Sequence, residues 1–202
     1  MTGLRSGAGR PTLKAGQRPH PPFDPASRMD TTTAPPPVRQ LALGDLEREM
    51  KQTRRVLERV PDEHWDWKPH QKSMSLGHLA AHVANLPRWQ ATVLASDFFD
   101  VATVPPPDYA AAPKTRDELL RRFDENAAAM QAALDAAGDE ALLRTWELRQ
   151  GEHVITSLSR AAAIRTLGIS HIIHHRAQLT VYLRQLDVPV PGLYGPSADE
   201  SF

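Results

Sequence analysis

After residue 40 the apolar residues of this chain recur mostly at helical spacing, and before it they show no period. Within 41–60, Leu43, Leu46, Met50, Leu57 and Val60 fall close to one face, which predicts a helix that Pro61 ends. The stretch "DEHWDWKPHQKSM" reads as a connector anchored by Trp65 and Trp67. Ser75 offers an N-cap for a second helix, "LGHLAAHVANLPRWQATVLAS", with Leu79, Val83, Leu86 and Val93 as its apolar stripe and Trp89 at one edge. "VATVPPPDYAAAPK" is a proline-rich loop. Thr115 then caps a third helix whose stripe is Leu119, Phe123, Ala127, Met130 and Leu134, with Gly138 closing it. In "TWELRQGEHVITS", residues 146–148 and 153–155 flank a turn at Gln150 and Gly151, a β-hairpin pattern. A fourth helix runs from about Ser159 to Leu186, with Pro189 and Pro191 beyond it as stops. The predicted fold is all-α: a four-helix bundle with a small β-hairpin before the last long helix.

Residues 1–37 stand apart, holding eight of the 18 prolines and no apolar period. They read as a disordered tail ahead of a bundle domain over 38–202. Residues 1–28 carry five basic side chains and one acidic, Asp24, and Met29 reads as an alternative start. The whole chain balances 24 basic against 24 acidic residues, which gives no push toward nucleic acid or an anionic membrane. It has no cysteine, so disulfides, thiolate metal sites and cysteine nucleophiles are excluded. No apolar run reaches transmembrane length and no secretory h-region shows at the N-terminus. A cytoplasmic location is the expectation.

Any metal must therefore be held by His, Asp or Glu, and the chain has nine histidines. "SHIIHHRAQL" crowds three of them into the start of the last long helix. At about 100° per residue, His171 and His175 share a face, with Gln178 and Tyr182 continuing it, while His174 points aside. An i, i+4 pair can put two imidazole nitrogens on one ion. The second helix offers His82 toward the bundle interior and His78 toward its polar face. Three imidazoles aimed into one core are costly to bury unless a metal uses them. Buried, neutral histidines hydrogen-bonded to carbonyls are the plainer alternative. Gln178 and Tyr182 are pocket candidates or helix-packing residues, and Arg176 faces away from the pair toward an acidic neighbour. Pro87 removes the hydrogen bond to the Val83 carbonyl, so the helix should kink just after His82, either opening a pocket or improving packing. The closing "YGPSADE" either folds back over the bundle or stays in solvent.

Two blocks, "SLGHLAAHVANLPRW" (75–89) and "HIIHHRAQLTVYLRQLDVPVPGLYGPSADE" (171–200), resemble the DinB/YfiT-like family of small bacterial metal-binding four-helix proteins. The resemblance covers roughly residues 41–200, and Ala177 stands where the family commonly has glycine. It implies that His82, His171 and His175 are the ligands of a divalent ion, Zn or Ni. It implies an enzyme, first a thiol S-transferase of the bacillithiol or mycothiol type acting on small electrophiles. A metal-dependent hydrolase at the same site, or a stress-linked metal- or ligand-binding protein without turnover, are its alternatives. The implied partner is a small molecule such as a low-molecular-weight thiol, with no nucleic acid and no membrane. Pairing into a homodimer is open.

Overall fold

The first predicted helix is two helices. In the computed structural model, which describes residues 37–105 and 112–201, α1 (Val38–Leu43) and α2 (Leu46–Leu57) meet at Gly44 and Asp45. Two weak helix formers in succession mark the break. Residues 1–36 of the proline-rich tail lie outside the described residues, as do positions 106–111 of the loop before the third helix.

α3 (Leu76–Ala95) opens as its sequence demands. The Ser75 hydroxyl accepts from the His78 N–H at 3.2 Å. The carbonyls of Trp67 and Trp65 take the N–H groups of Leu76 (2.8 Å) and Gly77 (2.9 Å). The connector thus satisfies donors that a helix start leaves bare. α4 (Arg116–Ala136) is capped by Thr115, with Asp117 and Glu118 in its first turn to complement the helix dipole. Gly138 does not close α4. Ala137 ends it, and Gly138 instead opens a short helix, α5 (Asp139–Leu143).

The hairpin forms, but as part of a larger sheet. β1 (Phe98–Asp100) lies parallel to β2 (Thr145–Gln150), which pairs antiparallel with β3 (His153–Ser159), in the order β1-β2-β3. Gly151, at φ 60°, occupies the turn position reserved for a positive φ. A register shift at Leu148 and Arg149 marks a bulge in the pairing of β2 with β3.

The last helix is one rod in three parts: α6 (Arg160–Ala163), a π-helical turn (Ile164–Ile169) and α7 (Ser170–Gln185). It ends before either proline. Asp187 turns left-handed at φ 58°, Val188 N–H reaches the Leu183 carbonyl (3.0 Å) and Asp187 N–H the Arg184 carbonyl (3.2 Å). That is the Schellman arrangement, with aspartate in the place usually given to glycine. The chain then folds back and is not left in solvent. Glu200 pairs with Arg55 of α2 and with Arg59 just beyond it, Asp199 pairs with Arg184, and Gln52 donates to the Leu193 carbonyl.

Leu57, Leu79, Val83, Phe123, Ile172 and Leu179 are among the buried side chains that join these helices in one core. Arg176 is buried with them and meets the acidic neighbour its position calls for. Its guanidinium donates to the Glu49 carboxylate (2.7 Å), the Tyr194 hydroxyl (2.6 Å) and the Glu49 carbonyl (3.1 Å). Burial pushes the Glu49 carboxyl up, but hydrogen bonds from Tyr194, Arg176 and Arg48 outweigh it and hold the group below its usual range. No helix among the described residues is long and apolar enough to cross a membrane.

Candidate metal centre

α3 and α7 pack side by side, and three imidazoles meet between them. The Nε2 atoms of His82 and His171 lie 3.4 Å apart. Those of His171 and His175 lie 2.9 Å apart. One ligand nitrogen from each ring falls within 4.8 Å of the others. Two nitrogens held about 2.05 Å from one ion sit about 2.9 Å apart at a right angle and about 3.4 Å apart at a tetrahedral one. The 2.9 Å and 3.4 Å spacings match those two angles.

The outer side of the His175 ring fixes which of its nitrogens faces inward. His175 Nδ1 lies 2.8 Å from Gln178 Oε1, an acceptor, so Nδ1 carries the proton and Nε2 keeps its lone pair. The Leu167 carbonyl, one turn earlier, favours a ring N–H on His171. A donor set with its acceptors behind it and its lone pairs converging is what a divalent ion requires.

The electrostatics agree. Burial, then the neighbouring imidazoles of His175 and His171, lowers the pKa of His82 from 6.5 to about 4. Burial is also the main force pushing His171 and His175 down. All three are therefore neutral near pH 7 and free of competing protons.

Local structure places these rings. The i, i+4 spacing of His171 and His175 lies wholly inside α7, where regular helical geometry holds. The π-helical turn ends two residues before His171. Gly168, within it, packs against Gln90 of α3 so closely that an added Cβ would sit 2.6 Å from Gln90 Cγ. A glycine inside a helical pattern is a signal for such close approach, and "TLGISH" carries it.

The remaining candidates separate. Gln178 supports His175. Tyr182 packs edge-on against Trp67, with ring centroids 5.5 Å apart and its hydroxyl 3.4 Å from the Met74 carbonyl. Tyr182 thus packs against the connector between α2 and α3. His174 is exposed, its ring set edge-on to that of His175 outside the cluster. Pro87 is buried inside an unbroken α3, and Asn126 of α4 donates to the nearby Ala84 carbonyl at 2.9 Å.

A cavity of about 920 Å³ opens on His82 and His171. α3 lines it with Asn85, Leu86, Arg88, Trp89 and Thr92, and Leu167 and His171 face them from the last helix. The sheet adds Phe99 and Leu148, and α4 adds Arg122. Trp89 is held edge-on between Phe99 (6.0 Å) and buried Trp146 (5.5 Å), so the sheet sets the cavity's apolar wall. This wall escapes the sequence reading, because β1 is three residues long and pairs with a strand some fifty positions away.

Comparison with known proteins places this geometry. A DinB-like protein from Bacillus cereus matches with a TM-score of 0.61 and 23% identity, over 76% of this chain and 95% of that one. The DinB-like protein YjoA from Bacillus subtilis matches with a TM-score of 0.56 and 20% identity, over 74% and 96%. Both support the fold. A short segment is 53% identical over 32 residues to the uncharacterised protein YrdA of Bacillus subtilis, covering 16% of this chain and 19% of that protein's length. The model of the DinB family matches residues 29–201. The chain belongs to the DinB family.

Proposed function

We propose that this protein is a metal-dependent transferase that joins a low-molecular-weight thiol, of the bacillithiol or mycothiol type, to a small electrophile. The observation that carries this reading is the lining of the cavity beside His82 and His171: apolar walls, and no carboxylate among its described residues. A divalent ion lowers the pKa of bound water as well, but metal-dependent hydrolysis of esters or amides commonly adds a protein carboxylate as general base beside that water. A thiol needs none once its pKa is lowered, and a divalent ion such as Zn or Ni on His82, His171 and His175 supplies the Lewis acidity that does so. The chain has no cysteine, so the thiol comes from outside. In the reaction the thiol gives its proton to solvent, its sulfur forms the new S–C bond, and the leaving group departs with its bonding pair. The apolar wall keeps water from the reacting atoms.

The test begins with metal content of the purified protein and of His82→Ala and His175→Ala. Both variants are expected to lose the ion, and retention in both removes the site assignment. Loaded protein is then offered a chromogenic electrophile with a panel of small thiols, and in parallel ester and amide substrates without thiol. Thiol-dependent turnover supports transfer. Thiol-independent cleavage, lost in the same variants, makes the protein a hydrolase instead, and turnover of neither panel by loaded protein leaves a non-catalytic binding protein.

A further inference from the structure

We propose that the cavity beside the histidines takes an electrophile that carries a carboxylate on an apolar body, with Arg88 as the anchor of the carboxylate. This rests on the reading of His82, His171 and His175 as a functional centre. Arg88 stands on α3 six residues after His82, at the exposed rim of the same cavity. Its surroundings are unusual for this chain. Arg39, Arg54, Arg55 and Arg184 each meet a carboxylate. Among the described residues Arg88 has no ion pair, and the cavity it lines has no described acidic group. Arg122 reaches the cavity from α4, so both charged side chains of the described lining, beside the imidazoles, are cationic.

Behind them lie Trp89, Phe99 and Leu148. A guanidinium offers paired donors that match a carboxylate, and an apolar wall beside it raises the value of the pairing by excluding water. A neutral apolar molecule would fill the wall and leave the arginine unused. A highly charged one would leave the wall bare. An apolar body with one acid group uses both. The volume, about 920 Å³, leaves room for a small thiol as well.

The probes are trans-cinnamate and cinnamide, which share a body and differ in charge. Binding is measured by calorimetry, without thiol, on the metal-loaded protein, the metal-stripped protein and Arg88→Gln. Arg88 is exposed, so the variant should keep its melting temperature. Cinnamate is expected to bind wild type roughly tenfold tighter than cinnamide, the value of one charged hydrogen-bonded contact. The preference should survive metal removal and vanish in Arg88→Gln, with cinnamide binding unchanged. Equal binding of the two probes, binding of neither, a preference that survives Arg88→Gln, or one that disappears with the metal each overturns the proposal. No thiol and no turnover enter the measurement, so its failure leaves the transferase reading standing, and failure of the thiol panel leaves this result standing.

Discussion

Substituting Gly168 by alanine should weaken the candidate metal centre through Gln90. The new Cβ would meet Gln90 Cγ at 2.6 Å, Cδ at 2.7 Å and Nε2 at 3.1 Å, all inside ordinary contact distance. Gln90 is fully buried and Gly168 is buried too, so neither side can swing into solvent. Overpacking of this kind costs about 1–3 kcal/mol. In a domain of this size that lowers the melting temperature by roughly 2–12 °C. The cheaper relief is a shift of the π-helical turn away from α3. Leu167 and His171 would travel with it, and the 3.4 Å approach of His171 to His82 would open. Disturbing a ligand's support typically costs about 10–100-fold in metal affinity. The assay is competitive titration of Zn or Co into wild type, Gly168→Ala, Gln90→Ala and the double variant, with thermal melts of each stripped form. Gln90→Ala removes the atoms the new methyl would strike, so the double variant should recover most of the lost affinity. A Gly168→Ala protein with wild-type affinity would refute the reasoning, as would a double variant no better than the single one.

Gln178→Leu removes the acceptor on His175 Nδ1 and should lower metal affinity roughly tenfold with little change in melting temperature, read by the same titration. Glu49→Ala leaves the Arg176 guanidinium buried without its carboxylate and should cost about 3–5 kcal/mol by chemical denaturation; a loss under about 1 kcal/mol would mean the pair is not dry. Metal-stripped protein should lose stability as pH falls from 6.5 toward about 4, because His82 is held neutral when folded and takes up a proton when unfolded. The loss attributable to His82 should be absent from a His82→Gln protein, and equal pH profiles for the two would refute it.

The extent to which the site could be read from sequence follows from where regular geometry holds. The π-helical turn ends at Ile169, and His171, His175 and Gln178 all lie beyond it on α7. Within that stretch a constant turn per residue is valid, so their common face is legible. The same count carried back from His171 to Ser159 would cross the turn, whose hydrogen bonds span five residues and not four, and would misplace every side chain before it. Ser75 and Thr115 were equally legible, because a cap is a contact between residues three apart.

What stayed hidden depends on register between distant segments. Nothing local tells that Arg176 will meet Glu49, 127 positions earlier, rather than another acid of the same helix. Nothing local tells that β1 will lie along β2 and put Phe99 in the wall of a cavity. The same limit explains the misleading cluster in "SHIIHHRAQL". His174 and His175 are neighbours in sequence, yet one is exposed and the other shares a centre with His82, which α3 brings from 89 residues before His171. Proximity along the chain predicts a shared site only where the helical period agrees with it. Here the period excludes the nearer histidine, and the packing of α3 on α7 supplies the farther one.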